Sequence, residues 1–199
     1  MKSDPRILVC GIDEAGRGPL AGPVTAAAVI LPEDFDRNIL DDSKKLSPAQ
    51  REYARGLICS GALAWGIGWA SHTEIDSINI LQASLLAMKR AFEEMIKTTM
   101  LPTAYISVIV DGIYTPELSA LCRAMVKADA QIPEVMAASI LAKTARDSYM
   151  GEMALEYPEY GYDRHKGYPT KMHRAAIIKY GPSPIQRMSF TVKPLNPGG

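Results

Sequence analysis

The chain has 199 residues, with 22 Lys and Arg against 22 Asp and Glu; 47% of its side chains are apolar and 22% charged. Those values exclude a chain dominated by disorder, which needs low hydrophobicity and high net charge, and no apolar run approaches the ~20 residues that span a bilayer. Zero net charge argues against a histone-like basic protein, but it is a cancellation: residues 160–199 carry seven basic and one acidic side chain, and residues 1–159 carry 15 and 21. Three cysteines (Cys10, Cys59, Cys122), none in a Cys-x-x-Cys pair, and an N-terminus without a cleavable signal pattern point to reduced thiols in a cytoplasmic protein.

In chain order, residues 7–12 form a short apolar run that predicts a strand ending in a Gly/Pro-rich turn over 16–23, followed by a second strand over 24–31. The link is too short for a crossover helix, so the pair is antiparallel. Ser47-Pro48-Ala49-Gln50 opens a helix with a capping box and Pro at the first helical position. Alternation of Trp65, Ile67 and Trp69 with small residues predicts a strand over 63–70. Leu81, Leu85, Met88, Phe92 and Met95 form one helical stripe. A strand over 105–110, a short helix over 118–125 and a brief strand over 126–128 follow. A long Ala-rich helix over 135–156 and a helix capped by Thr170 complete the chain. The order predicts a mixed α/β sheet with helices on its faces.

Asp13, Glu14, Asp111 and Asp129 each fall at the end of a predicted strand, where α/β folds expose functional side chains. Carboxylates gathered there need a cation between them, and oxygen-only ligands suit Mg²⁺ or Mn²⁺. Asp and Gly after a strand are equally ordinary turn formers, and Asp13 and Glu14 converge only where the strand bends. The glycines of 16–23 do not open a helix, so a dinucleotide fingerprint is rejected; they fit either close backbone approach to a ligand or a tight turn. Ser139, Lys143 and Arg146 share one helix face, which fits either a surface that follows a phosphate backbone or, more commonly, a plain exposed face bearing two cations. Aromatics and cations interleave over 160–168, as in nucleic-acid grooves, whereas His165 and His173 lack a ligand pattern and read as polar surface groups.

Together these segments carry a resemblance. Gly11-Ile12-Asp13-Glu14-Ala15-Gly16-Arg17-Gly18-Pro19-Leu20-Ala21-Gly22-Pro23-Val24 closely resembles the opening motif of type 2 ribonucleases H (ribonuclease HII), in their bacterial form. So do Asp42-Ser43-Lys44-Lys45-Leu46, Asp111-Gly112, Lys127-Ala128-Asp129, the stretch 137–147 and His165-Lys166-Gly167-Tyr168-Pro169-Thr170, in the family's order. The resemblance implies a ribonuclease H-like α/β fold: a mixed five-stranded sheet flanked by helices, with a small C-terminal helical part. It divides the chain into a catalytic domain over 1–159 and a basic helical substrate-binding segment over 160–199.

It also implies a metal-dependent endoribonuclease that cuts the RNA strand of RNA–DNA hybrids and incises at single ribonucleotides in duplex DNA. The products carry 3′-hydroxyl and 5′-phosphate ends. Asp13, Glu14, Asp111 and Asp129 would be the catalytic ligands of a two-metal Mg²⁺ or Mn²⁺ site. Gly16, Arg17 and Gly18 would contact the ribose 2′-hydroxyl through backbone groups, Tyr168 would sense the RNA–DNA junction, and Lys44, Ser139 and Lys143 would meet phosphates. Residues 186–190 lack the paired aromatics of a clamp-binding peptide, which argues against sliding-clamp tethering. A monomer without membrane contact is expected. A resolvase or exonuclease of the same fold class and a non-catalytic hybrid-binding module are the rival readings.

Overall fold

The computed structural model describes residues 7–41, 43, 45–99 and 101–192. Strand β1 (Leu8–Ala15) runs antiparallel to β2 (Val24–Ile30), with Asp13 opposite Ala27 and Glu14 opposite Ala26. β3 (Ala64–Ala70) continues antiparallel beyond β2, while β4 (Ile106–Asp111) and β5 (Leu121–Met125) lie on the other side of β1, parallel to their neighbours. The order β3-β2-β1-β4-β5 is the mixed five-stranded sheet that the resemblance implies. Ile12 pairs with Val110, so Asp13 and Asp111 are each the next residue toward the same end of two adjacent central strands.

Helices cover both faces. α1 (Pro48–Gly61) starts on the expected capping box, with Gln50 N–H donating to Ser47 Oγ and Ser47 N–H to Gln50 Oε1. α2 (His72–Lys97) packs on one face through Ala83, Ala87, Ala91 and Phe92, and is broken into two pieces at Asn79. α3 (Pro133–Glu156) and α1 pack on the other face, around Ala27, Val29, Ile58 and Leu141. The start of α3 lies directly on β1: a Cβ on Gly11 would come within 2.1 Å of the Glu134 carbonyl carbon, so only glycine permits this approach. The chain then passes through the single-turn α4 (Tyr162–His165) and α5 (Lys171–Tyr180), whose apolar residues share a small core with Ala21 and Met150. Among the described residues no helix is long and apolar enough to cross a membrane.

The structure corrects one stretch. Residues 121–125 form strand β5, where a helix over 118–125 was expected, and the brief strand expected over 126–128 is absent. In its place Lys127 turns into the left-handed region (φ 59°) and leads a 3-10 turn, Ala128–Ala130. β5 is an edge strand with Leu121 79% exposed, so no buried period-two stripe marks it; backbone pairing to β4 overrides the helix preference of Leu, Arg, Ala and Met.

Candidate active site

Strands β1 and β4 end side by side and deliver Asp13, Glu14 and Asp111 into one cleft of about 240 Å³. Asp13 is 5% exposed and accepts a 2.7 Å hydrogen bond from the Glu14 N–H. Burial, with the Glu14 charge second, holds the Asp13 carboxyl well above its ordinary range, against a hydrogen bond from Ser139. Glu14 is likewise raised by burial, opposed by Arg17, whose Nη1 lies 3.2 Å from Glu14 Oε1. The second oxygen, Glu14 Oε2, is buried with no hydrogen-bond partner. Asp111 Oδ1 accepts from the Ala128 N–H at 2.8 Å, which ties the end of β4 to the turn that carries Asp129.

Asp129 is buried in that turn beside this hydrogen bond and does not line the cleft. Among the described residues no three Asp, Glu, His or Cys side chains converge closely enough to make a ready coordination shell. The donor set nevertheless fits a hard divalent cation: every ligand is oxygen, and one of those oxygens, Glu14 Oε2, is buried and unpartnered.

The other wall contains Gly16, Arg17, Gly18, Ser43, Ser139, Lys143 and Tyr168. Gly16 has φ +101°, and a Cβ there would meet Arg146 Nε at 2.1 Å, so the residue is glycine for both conformation and contact. Ser139 Oγ and Ser43 Oγ are 2.9 Å apart, and Lys143 Nζ is held 2.7 Å from Asp147 Oδ1. Arg51 secures the same rim by donating to the carbonyls of Ser43 and Leu46. Tyr168 is partly exposed, its ring edge 3.6 Å from where a Cβ on Gly18 would stand. Lys44 lies outside the described residues.

Two expectations fail here. Ser139, Lys143 and Arg146 do not form an exposed face: Ser139 is buried, Lys143 is half-buried, and Arg146 is 1% exposed and donates to the carbonyls of Pro23, Lys166 and Ala21. Nor are His165 and His173 surface groups. Their rings stack 4.5 Å apart in the interior, against Tyr162, because α4 and α5 fold back on the cleft wall. His165 Nδ1 accepts from the Gly167 N–H, which leaves Nε2–H to donate to the Tyr160 carbonyl. His173 Nδ1–H donates to the Tyr168 carbonyl at 3.0 Å, so the pair buttresses the tyrosine from behind.

A family model described as Ribonuclease HII matches residues 10–193. The chain is 56% identical over 198 residues to the ribonuclease HII of Treponema denticola, covering 94% of this chain and 100% of that protein. Among solved structures, the ribonuclease H2 from Pyrococcus horikoshii OT3 aligns with a TM-score of 0.71 at 26% identity, over 94% of this chain and 95% of that one. The RNase HII from Archaeoglobus fulgidus, solved as a complex with PCNA, aligns at 0.73 and 24% identity, over 96% and 98%. With the sheet order, the cleft and the sequence likeness all in agreement, the chain belongs to the ribonuclease HII family of nucleases.

Proposed function

We propose that this chain is an endoribonuclease that cuts the RNA strand of RNA–DNA hybrids and incises duplex DNA at single embedded ribonucleotides, leaving 3′-hydroxyl and 5′-phosphate ends. The observation that carries this function is the cleft itself, which is lined by three carboxylates together with glycine backbone and an exposed tyrosine. Asp13, Glu14 and Asp111, with Asp129 next to them, would hold Mg²⁺ or Mn²⁺. Bound divalent cations would supply a more acidic water and neutralise charge on the leaving 3′ oxygen.

The chain's own groups do the rest. Backbone groups of residues 16–18 face the ribose, whose 2′-hydroxyl is both donor and acceptor and separates RNA from DNA. Tyr168 stacks on the sugar next to the cut and reads the junction. Lys143, Ser139 and Lys44 meet phosphates, and the basic segment 160–199 grips the duplex outside the catalytic domain 1–159. Clamp tethering forms no part of this proposal, because residues 186–190 lack paired aromatics.

The test is cleavage of labelled duplex DNA containing one ribonucleotide, beside an RNA–DNA hybrid and an all-DNA control, in Mg²⁺ and in Mn²⁺. Cutting is expected on the first two only, and Asp13→Asn or Asp129→Asn is expected to abolish it while the melting curve stays cooperative. Cutting of the all-DNA duplex would instead identify a resolvase-type nuclease, and binding without cutting a hybrid-binding module. Near-wild-type turnover by either Asn variant in Mg²⁺ would refute the metal-ligand assignment.

A further inference from the structure

The stretch 186–190 contains a side chain that neither the catalytic cleft nor the duplex grip uses. Arg187 is 0% exposed, yet among the described residues it forms no ion pair. Its guanidinium has five N–H donors, and all five end on backbone carbonyls of one loop. Nε donates to Gly22 at 2.8 Å; Nη1 donates to Arg17 at 3.0 Å and to Pro19 at 2.9 Å; Nη2 donates to Gly16 at 2.6 Å and to Pro23 at 3.0 Å. The Arg187 backbone N–H takes the Leu20 carbonyl as well. Burial draws this guanidinium down to about 9, with the neighbouring Arg146 charge adding to the effect, so it is still a cation at neutral pH.

The loop explains why a cation is needed there. Residues 16–23 include two prolines, which have no N–H, and they make no regular ladder, so their carbonyls outnumber the donors at hand. Arg146 takes the Ala21 carbonyl and shares that of Pro23, then crosses to the Lys166 carbonyl, two residues before Tyr168. Leu20 N–H closes the same junction by donating to the Gly167 carbonyl at 2.8 Å.

This arrangement sets the direction of the peptide groups on the cleft side. All described peptide bonds are trans, and in a planar trans peptide the C=O and the following N–H point in opposite directions. With the carbonyls of Gly16 and Arg17 turned onto Arg187, the N–H groups of Arg17 and Gly18 turn away from it. Both residues line the cleft, and among the described residues neither N–H donates elsewhere. We propose that Arg187 is a positioning residue for ribose recognition: it holds the peptide planes of residues 16–18 so that their N–H groups face the 2′-hydroxyl, while Arg146 links that alignment to the Tyr168 segment. The proposal rests on the function argued above.

Arg187 is anchored from outside the cleft. Asp76, in the first turns of α2, accepts from the N–H groups of Met188 and Ser189, at 2.9 Å each, and from Ser189 Oγ at 2.6 Å. The Phe190 ring lies 5.1 Å from the guanidinium carbon. Removing Asp76 therefore loosens Arg187 without touching the loop or any group near the reacting phosphate.

The experiment compares wild type, Arg187→Lys and Asp76→Ala on duplex DNA with one ribonucleotide, reading kcat and KM separately, with a thermal melt of each protein. Lysine keeps the charge but has three donors on one atom and cannot serve five carbonyls. Arg187→Lys is expected to lower kcat about 30-fold or more with KM within about threefold, because a misdirected peptide weakens alignment in the transition state more than duplex binding. The loss is expected to persist at temperatures well below the melt, where a strut that only stabilised the fold would give full kcat. Arg187→Lys within twofold of the wild-type kcat overturns the proposal. Where Arg187→Lys does not melt cooperatively, Asp76→Ala decides: a kcat lowered about three- to tenfold with a cooperative melt supports the proposal, and an unchanged kcat overturns it. A wild type that fails to cut the ribonucleotide duplex overturns the functional assignment first, and this proposal with it.

Discussion

His173 shows what a single buried side chain contributes at this site. Burial pushes its ring down to about 4 from an ordinary value near 6.5, and its Nε2 has no partner to receive a second proton's hydrogen bond. The stacked His165 is also lowered by burial. The unfolded chain therefore binds protons more readily than the folded one between about pH 6.5 and 4. Stability is complete above that window and falls as pH drops through it, by roughly 1–3 kcal/mol. The melting temperature of the wild type is expected to drop more between pH 7.5 and pH 5 than that of His173→Gln; equal drops would show that this ring does not carry the effect. Neither histidine's burial was legible beforehand, since a lone histidine without neighbours at ligand spacing has the same sequence pattern whether it faces water or Tyr162. The same reason hid Arg146. Steps of three and four place it on one helix face with Ser139 and Lys143, but that face opens to the cleft at Lys143 and is covered by the loop 16–23 at Arg146. The positions of Asp13, Glu14 and Asp111 near strand ends were legible because strand ends and turn glycines are local signals; Asp129 was expected after a strand that does not form, and stands instead in a 3-10 turn that no local signal marked.

At the scale of elements, local chemistry was enough wherever it was strong. The Ser47 capping box, the Thr170 cap, the antiparallel β1–β2 pair and the apolar stripe of Leu81 to Met95 all stand in the structure as expected. The edge strand β5 was missed because its evidence is a tertiary partner, β4, instead of a pattern of its own. The break in α2 has a residue-level cause. Asn79 sits at φ 68°, ψ 165°, a conformation close to glycine-only territory, and its Oδ1 accepts from the N–H groups of Leu81 and Gln82, capping the second helical piece. Asn79→Ala loses the cap and keeps the strained backbone, so chemical denaturation is expected to show a loss of roughly 1–3 kcal/mol. Asn79→Gly loses the same cap but relieves the backbone, and is expected to lie within about 1 kcal/mol of wild type. An alanine variant as stable as the glycine variant would mean that backbone conformation at the break contributes nothing.

For the whole molecule, the zero net charge becomes an arrangement. Excess acid in residues 1–159 includes the carboxylates at the ends of β1 and β4, where a bound cation would neutralise them, and most of the excess base in 160–199 lies in residues 160–192, which pack beside the cleft and present Tyr168. A neutral protein has no long-range attraction for DNA, so binding depends on a few local phosphate contacts, each releasing condensed counterions. The affinity for a ribonucleotide-containing duplex is therefore expected to fall with salt along a log–log line of modest slope, about −2 to −4, as few contacts require. Lys166 is the natural place to test where those contacts lie: it precedes Tyr168 by two residues, its carbonyl is taken by Arg146 and its N–H by the Tyr162 carbonyl, and among the described residues its ammonium group has no hydrogen-bond partner. Lys166→Gln is expected to weaken duplex binding several-fold and to flatten the slope by about one unit. Arg55 on α1 carries the same charge on the other side of the sequence divide, in a surface pair with Glu52, and Arg55→Gln is expected to leave both affinity and slope within error. Equal slope changes in the two variants would mean that the duplex is held by diffuse attraction over the whole surface, and that the basic segment is not its grip.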